Sequence, residues 1–383
     1  MSEARQVFST VLCDVLGIEY PVLQSGMGGV AGPALAAEVS NAGGLGIVAG
    51  TLTAPDVLRD AIRQVRSLTD RPFGVNLLLL PEVRHPVSTD LLADATVAAV
   101  HRTLNPIREL LGLPESEARP PSVPDLVTPA LEVIIDERVP VFSAGLGDPG
   151  PELTARLHDA GIRTIVMVTN AADARLVAGN GADVVVAQGL EAGGHRSHFT
   201  KPASGTLGDL GTLALVPEVV DAVDVPVVAA GGILDGRGLV AALALGASGV
   251  LMGSRFLATR ESAAPEAHKK RLLEDSGEHT VVTDRLTGRY ARVLRNAFTD
   301  GSSGTEQDVA ETLPFPAQYL ANADIFAAAE RTENADYLPL WAGQSIGRVN
   351  DLPWASDVIS DIIRQAADLL ERQLAERIHL RLQ

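Results

Sequence analysis

The stretch VPVVAAGGILDGRGLVAALALGASGVLMGSRF, residues 225–256, contains one complete repeat of the sequence pattern that decides the fold. A short apolar run, 225–232, ends in two glycines, and a second run, 249–254, ends in Gly-Ser. Between them, residues 236–246 form a helical pattern that closes on a glycine, the usual C-cap signal. Apolar runs without polar alternation are typical of strands buried on both faces of a parallel sheet. This stretch therefore predicts a strand, a helix and a second, parallel strand.

The same pattern recurs upstream. The eight predicted strands are 20–26, 45–50, 73–78, 139–145, 163–168, 183–189, 225–232 and 249–254. The predicted helices are 33–42, 55–67, 126–137, 151–160, 171–179, 211–223 and 236–246. Eight β/α units between residues 20 and 254 match an α/β protein of the (β/α)₈ TIM-barrel type in number and length. A doubly wound sheet is the alternative.

Two segments depart from a minimal barrel. An insertion between the third and fourth strands, 79–125, is long and rich in proline, and a mainly helical C-terminal segment follows the last strand. We expect a barrel over 12–260 and a segment, 261–383, that covers the barrel mouth and packs outside it. The apolar-periodic stretch 356–381 serves either a homodimer interface or packing on the same chain.

Composition limits the classes of partner. The formal net charge of −17 over 383 residues argues against nucleic acid or an anionic membrane. Cys13 is the single cysteine, so an internal disulfide and a cysteine-based metal site are excluded, and no histidine spacing indicates a metal. The N-terminus lacks the apolar core of a signal peptide, and residues 239–253 are too short to span a bilayer. We expect a cytoplasmic enzyme that acts on a small molecule.

Small and amide side chains follow the predicted strands. In barrels of this type the chemistry lies at the C-terminal ends of the strands. Asn76 and Gln188 each offer a donor and an acceptor to a planar heterocycle, and glycines allow close approach of the backbone. The loops after the last two strands, with Gly231, Gly232 and the segment 252–256, occupy the usual phosphate position. This pattern favours a flat aromatic cofactor with a phosphate tail.

His195 is the strongest candidate base. It follows two glycines in QGLEAGGHRSH, 188–198, at the end of the sixth strand. If those glycines bring the backbone against a cofactor ring, His195 would lean over it as a base. The alternative is a loop histidine that hydrogen-bonds a carbonyl. Glu191 either orients His195 or caps a local turn. The remaining histidines outside this loop are expected to be solvated: His85, His101, His158, His268 and His279.

These residues together resemble a known family. PVLQSGMGGVAG, FGVNLL, QGLEAGGHR, VPVVAAGGI and LMGSRF, spread over residues 12–260, resemble in order the motifs of FMN-dependent nitronate monooxygenases, formerly called 2-nitropropane dioxygenases. The resemblance resumes in LTGRYARVLRN and WAGQSIG, 341–347. Related FMN-dependent enoyl-acyl-carrier-protein reductases and quinone reductases share the Gly-Gly-His element.

The resemblance implies a TIM barrel with FMN at its mouth and His195 as catalytic base. The implied reaction is oxidation of alkyl nitronates, or of nitroalkanes, by O₂ to a carbonyl compound and nitrite. The alternatives are an NAD(P)H-dependent FMN reductase of enoyl thioesters or quinones, and a barrel that binds a phosphorylated ligand without redox chemistry. The candidate cofactor contacts are Met27, Gly28, Asn76, Gln188, Gly193, Gly194, Gly231, Gly232, Met252, Gly253, Ser254 and Gln344.

Overall fold

The computed structural model describes residues 8–84, 88–203, 210–301 and 312–377. Its strands, in chain order, are β1 (Val22–Gln24), β2 (Gly46–Ala49), β3 (Phe73–Leu78), β4 (Val141–Gly145), β5 (Arg163–Val168), β6 (Val184–Gln188), β7 (Gly194–His195), β8 (Val227–Ala230), β9 (Gly249–Met252), β10 (Thr280–Thr283) and β11 (Ala291–Leu294). Eight of these described strands form one parallel sheet in the order β1-β9-β8-β6-β5-β4-β3-β2. The eight predicted strands are confirmed, each within three residues of its predicted ends.

The seam between β1 and β2 closes this sheet into a barrel. Leu23 bridges Leu45 in parallel, and the N–H of Gln24 donates to the carbonyl of Leu45 at 2.9 Å. The buried Gln24 side chain reinforces the seam, because its Oε1 accepts from the N–H of Ile47 at 3.0 Å and its Nε2 donates to the carbonyl of Ile47 at 3.2 Å. The TIM-barrel prediction is confirmed, and the doubly wound alternative is wrong.

Helices alternate with the barrel strands and continue beyond them. They are α1 (Val11–Leu16), α2 (Pro33–Asn41), α3 (Pro55–Leu68), α4 (Pro81–Arg84), α5 (Asp94–Leu110), α6 (Val127–Asp136), α7 (Gly150–Asp159), α8 (Ala171–Gly179), α9 (Thr212–Val220), α10 (Gly236–Ala244), α11 (Ser254–Leu257), α12 (Glu266–Glu274), α13 (Ala297–Asp300), α14 (Ala317–Ala321), α15 (Ala323–Arg331), α16 (Ala355–Asp368) and α17 (Leu374–Arg377). The seven helices predicted within the barrel are all present. No helix in the described ranges is long and apolar enough to cross a membrane.

Two apolar layers hold the barrel together. Alternate strand residues such as Leu23, Ile47 and Ile165 form an inner cluster that also contains Leu12 and Cys13 of α1, so α1 packs against the barrel interior. The intervening residues, such as Val75 and the buried side chains on the helices, form the larger outer cluster. This alternation is what the pleat of a strand requires when both faces are covered. It leaves the strand ends free to carry functional groups.

The insertion and the C-terminal segment share a small core. Side chains of α5, including Leu104, pack in one cluster with Leu286, Val293 and Ile325 of the C-terminal segment. The buried guanidinium of Arg108 joins the two, because it donates to the carboxylate of Asp324 at 2.7 Å. The two additions therefore form a single body against the barrel.

The helix α16 packs on the outside of the barrel. A Cβ added at Gly236, the first residue of α10, would lie 2.4 Å from the backbone nitrogen of Ala366. The apolar side chains of α16 belong to the outer cluster, which accounts for the apolar periodicity of residues 356–377. Residues 378–381 lie outside the described ranges. An interface with a second copy of the chain stays a prediction.

A three-stranded sheet in the order β10-β11-β7 was not foreseen in the sequence analysis. β10 and β11 form an antiparallel hairpin, and β11 pairs with the two residues of β7, with Ala291 opposite His195 and Arg292 opposite Gly194. The C-terminal segment thus contains strands as well as helices. This sheet brings the hairpin directly onto the loop that carries His195.

Candidate active site at the C-terminal end of the barrel

The two glycines before His195 have different surroundings. A Cβ on Gly193 would lie 2.5 Å from the carbonyl carbon of Ala342 and 2.6 Å from the nitrogen of Gly343. Gly194 has φ of +76° and would have no atom within 4 Å of an added Cβ. Gly193 is therefore required by packing against the C-terminal segment. Gly194 is required by backbone conformation and faces open space.

Buried polar side chains fix the backbone around His195. The Nε2 of Gln188 donates to the carbonyl of His195 at 2.9 Å, and its Oε1 accepts from the N–H of Ser197 at 2.9 Å. The buried guanidinium of Arg196 donates to the carbonyl of Gly189 at 2.7 Å. These contacts hold the loop against the end of β6. The predicted amide of Gln188 thus orients the loop through both ends of its side chain.

The imidazole of His195 lies between two aromatic rings. Its centroid is 5.9 Å from that of Phe315, edge to face, and 5.4 Å from that of Trp341. Nε2 of the imidazole lies 2.9 Å from Oγ1 of Thr287. Burial, and in smaller part the charge of Arg289, lower the pKa of His195 to about 4. The ring is therefore neutral at pH 7 and able to accept a proton.

Glu191 caps a helix. Its carboxylate accepts from the N–H of Thr212 at 2.8 Å and from the hydroxyl of Thr212 at 2.9 Å, at the first residue of α9. The sequence raised orientation of His195 or capping of a local turn, whereas the observed contact is to the start of a helix 21 residues further along the chain. The side chain that hydrogen-bonds the His195 ring is Thr287.

The strand register brings the predicted rim residues to one end of the barrel. Asn76 is paired with Ser143, Gln188 with Ala230, and Met252 with Gln24. The Nδ2 of Asn76 lies within hydrogen-bonding distance of the Ser143 hydroxyl at 3.1 Å.

The predicted phosphate loops lie on the same rim. Gly231 and Gly232 have φ of +105° and +73°, conformations that favour glycine. A Cβ on Gly253 would lie 3.6 Å from the sulfur of Met27. The N-terminus of α10 is already occupied, because the carboxylate of Asp235 accepts from the N–H of Arg237 at 3.0 Å. The backbone groups of the glycine loops are the remaining candidates for an anion.

Two further candidate contacts lie near the His195 loop. Oγ of Ser254 accepts from the N–H of Gly343 at 2.9 Å, and the N–H of Gln344 donates to the carbonyl of Glu191 at 2.9 Å. Both contacts join the C-terminal segment to the barrel rim. The side chain of Gln344 is exposed.

The residues at this rim fit a flat cofactor with a phosphate group. A Cβ at Gly28 or Gly194 would meet nothing within 4 Å, so the backbone borders open space at both points. The side chain of Asn76 supplies a polar amide at the same end of the barrel. Exposed backbone beside amide groups is the chemistry that a heterocycle with an anionic tail requires.

A pocket of about 180 Å³ shares two residues with the surroundings of His195, because Phe315 and Arg289 form part of its wall. His195 itself does not line this pocket. The other lining residues include Glu82 and Lys201. The guanidinium of Arg289 donates to the carbonyl of His198 at 2.6 Å, and burial lowers the pKa of Arg289. Nζ of Lys201 lies 2.7 Å from the carboxylate of Asp284. The pocket lining thus combines the aromatic ring of Phe315 with two cationic groups, Arg289 and Lys201, and the carboxylate of Glu82.

Several residues of this site were missed from sequence. Thr287 and Arg289 lie in LTGRYARVLRN, and Trp341 begins WAGQSIG, so both stretches were noted without roles for their side chains. No sequence feature indicated that Phe315 would lie near His195. These side chains reach His195 through tertiary packing that local sequence does not encode.

Two predictions for the other histidines were wrong. His101 and His268 are buried, with 3% and 2% of their surface exposed. His158 and His279 are exposed as expected, and His85 lies outside the described ranges. Within the described residues no group of three or more histidine, cysteine or acidic side chains is placed to hold a metal ion.

The chain is similar to nitronate monooxygenases, to a nitroalkane oxidase and to FabK. A profile described as nitronate monooxygenase matches residues 9–365. A probable nitronate monooxygenase of Staphylococcus saprophyticus is 34% identical over 365 residues, covering 95% of this chain and 99% of that protein. The crystal structure of a nitroalkane oxidase from Streptomyces ansochromogenes has a TM-score of 0.83 at 34% identity, covering 94% and 98% of the two chains. FabK from Thermotoga maritima has a TM-score of 0.74 at 32% identity, covering 96% and 99%.

Proposed function

Since this chain belongs to the nitronate monooxygenase family and is an oxidoreductase, we propose that it oxidises alkyl nitronates with O₂ to a carbonyl compound and nitrite. In this proposal FMN is the cofactor and His195 is the base. Flavin dependence is general in the family.

The observation that carries this proposal is a neutral imidazole that is influenced by the charge of the buried Arg289, which in turn lines a small pocket. A nitronate is an anion, so the guanidinium would attract it and hold it beside the ring. With a neutral nitroalkane, His195 would remove the proton from the carbon next to the nitro group. The same guanidinium would stabilise the anion that forms.

The proposed cofactor contacts are the rim residues. The amide of Asn76 would meet the heterocycle, and Gly194 would lie against it. Backbone groups of Gly231, Gly232 and the loop at Met252, Gly253 and Ser254 would hold the phosphate. The remaining proposed contacts are Met27, Gly28, Gln188, Gly193 and Gln344. Bound FMN would supply the one-electron oxidation of the nitronate and the transfer to O₂.

The proposed reaction also needs a site from which water is largely excluded, and aromatic rings contribute to this. Phe315 and Trp341 flank the imidazole and limit its contact with water. A less solvated site strengthens the attraction between Arg289 and an anionic substrate. The geometry therefore favours a small anion over a large neutral substrate.

A second candidate is an NAD(P)H-dependent FMN reductase of enoyl thioesters or quinones. The observation in its favour is the likeness to FabK from Thermotoga maritima over 96% of this chain. We rank it second because the identity and TM-score with the nitroalkane oxidase are higher.

An oxygen-electrode assay on the purified holoprotein separates the two. Propionate 3-nitronate and NAD(P)H are supplied in separate cells. Rapid O₂ uptake with nitrite formation from the nitronate alone would support the proposal. No uptake there, with bleaching of the flavin by NAD(P)H under argon, would replace it with the reductase.

A further inference from the structure

The hydroxyl of Thr287 makes three contacts. Oγ1 lies 2.9 Å from Nε2 of His195, accepts from the N–H of Arg289 at 3.3 Å, and donates to the carbonyl of Arg289 at 3.3 Å. Only 2% of the Thr287 surface is exposed, so its hydrogen bonds are made within the protein. The contact with His195 is the shortest of the three.

The capacity of a hydroxyl decides where the protons lie. A threonine hydroxyl donates once and accepts twice. If the hydroxyl donates to the carbonyl of Arg289, it accepts both the N–H of Arg289 and an N–H from Nε2 of His195. All three contacts are then hydrogen bonds. If the hydroxyl instead donates to Nε2, the carbonyl of Arg289 loses its donor and one lone pair of the hydroxyl is unused in a buried place, which costs free energy.

We propose that Thr287 is the positioning residue for His195: its hydroxyl accepts the proton of Nε2 and leaves Nδ1 as the atom that receives the substrate proton. No hydrogen-bond partner for Nδ1 is found among the described residues. The use of Nδ1 in turnover rests on the proposed function, whereas the position of the proton in the resting enzyme does not.

The proton transfer leaves the threonine contact in place. The C–H bond of the nitroalkane breaks, its electron pair stays on the nitronate, and the proton forms a new N–H bond at Nδ1. Nε2 keeps its proton and continues to donate to Thr287, now from a cation. Charge-assisted hydrogen bonds are stronger than neutral ones, so the contact stabilises the imidazolium without any rotation of the hydroxyl.

The hairpin loop holds Thr287 rigidly for this role. The backbone N–H groups of Thr287 and Gly288 donate to the carbonyl of Asp284 at 3.3 Å and 2.7 Å. A Cβ on Gly288 would lie 2.2 Å from the carbonyl oxygen of Leu313, so the loop is packed closely from the other side. The pairing of β11 with β7 then fixes the hairpin relative to His195.

The first test reads the tautomer directly. Holoenzyme with ¹⁵N-labelled histidine is studied by long-range ¹H–¹⁵N NMR at pH 7, and the His195 signals are assigned by their loss in His195→Asn. We expect Nε2 protonated and Nδ1 unprotonated. A resting enzyme with the proton on Nδ1 would overturn the proposal, whether or not the protein oxidises nitronates.

The second test compares Thr287→Val with Thr287→Ser. Valine keeps the shape and removes the hydroxyl, whereas serine keeps the hydroxyl. We expect Thr287→Val to lower kcat/KM for neutral nitroethane roughly 10- to 100-fold, the range found when the partner that orients a metal-bound histidine is removed. The low-pH limb of the profile should shift to lower pH, because the imidazolium loses its acceptor. Thr287→Ser should restore both.

Preformed ethyl nitronate, which needs no proton removal, provides the control substrate. Its oxidation should change far less than nitroethane turnover in Thr287→Val. Equal losses on both substrates, or an unshifted pH limb, would reduce Thr287 to a structural residue. If Thr287→Val does not fold, the tautomer measured in the wild type still decides the proposal.

Discussion

The indole ring of Trp341 packs against the imidazole of His195, with ring centroids 5.4 Å apart. Phe315 covers a second side of the same imidazole. Shielding from water disfavours the charged form of histidine, and the pKa of His195 is lowered to about 4. A base with so low a pKa is neutral throughout the physiological range but weak. Its effectiveness must then come from stabilisation of the anion that its action creates.

The pH dependence of turnover provides a test of this arrangement. The neutral ring is the base, so activity should rise as the pH increases through the pKa of His195. We expect kcat/KM for neutral nitroethane to show its low-pH limb near pH 4 rather than near the ordinary pKa of about 6.5.

Arg289→Met should move this low-pH limb of the kcat/KM profile to higher pH. Removing the nearby positive charge makes protonation of His195 easier, so the pKa of His195 increases and the limb moves to higher pH. Arg289→Lys keeps a cation and should leave the limb near pH 4. Steady-state pH profiles of the three proteins measure the effect. A limb that stays in place or moves to lower pH in Arg289→Met would show that the guanidinium does not act on His195.

The role of His195 is tested by His195→Asn. This variant should keep its flavin and lose roughly 10²- to 10⁴-fold in turnover of neutral nitroethane, the usual contribution of a general base. Oxidation of preformed ethyl nitronate should fall less, because its proton is already gone. The matched control is His198→Asn, whose side chain lies three residues further along the same loop; nitrite formation should stay near the wild-type level there. Full activity of His195→Asn on nitroethane would exclude it as the base.

Gly193 and Gly194 should respond differently to alanine. In Gly193→Ala the new methyl group would lie 2.5 Å from the backbone of Ala342, so the C-terminal segment must move away from the His195 loop. Gly194→Ala meets no atom of the protein, and in the apoprotein its cost is the left-handed backbone alone, about 1–2 kcal/mol. Urea unfolding of both variants without cofactor should show the larger loss for Gly193→Ala. Equal losses would mean that the 342–343 backbone yields freely.

The barrel could be predicted from sequence because its strands are short, mainly apolar runs that alternate with helical patterns. The runs at 73–78 and 163–168 coincide with β3 and β5 in the structure. Strand β7 has two residues, Gly194 and His195, and such a short strand leaves no pattern to detect. It exists because β11 comes to pair with it from far along the chain.

The side chains around His195 could not be predicted from sequence, because they come from distant parts of the chain. The position of His195 after β6 follows from the barrel, but Thr287 is 92 residues away in sequence. The cluster that joins α5 to the C-terminal segment likewise depends on contacts between distant parts of the chain. Helical periodicity identifies which face of α5 is apolar without identifying what covers it. The division into 12–260 and 261–383 stays a prediction.

His268 contacts the backbone of Trp341, and its burial makes the free energy of unfolding depend on pH. Its Nε2 donates to the carbonyl of Trp341 at 3.0 Å, and 2% of its surface is exposed. Burial first, and the charge of Arg271 in smaller part, lower the pKa of His268 to about 4, although the contact with Trp341 opposes this. The folded protein therefore resists protonation of this ring.

The sign of the stability effect follows from the two pKa values. Below about pH 6.5 the unfolded chain takes up a proton at this histidine, and the folded chain does so only near pH 4. Stability is therefore complete above pH 6.5 and decreases as the pH falls towards 4. At pH 4.5 this one ring should account for a loss of about 2–3 kcal/mol.

His268→Gln isolates that contribution. The variant should be less stable than the wild type at pH 8, through lost packing, and the difference should shrink by about 2–3 kcal/mol at pH 4.5. Urea unfolding at both pH values measures it, with the pH 8 result separating packing from ionisation. The control is His279→Gln, which replaces an exposed histidine beside Asp275 and should change stability only slightly. A wild-type advantage over His268→Gln that is the same at both pH values would mean that the buried ring ionises as freely as an exposed one.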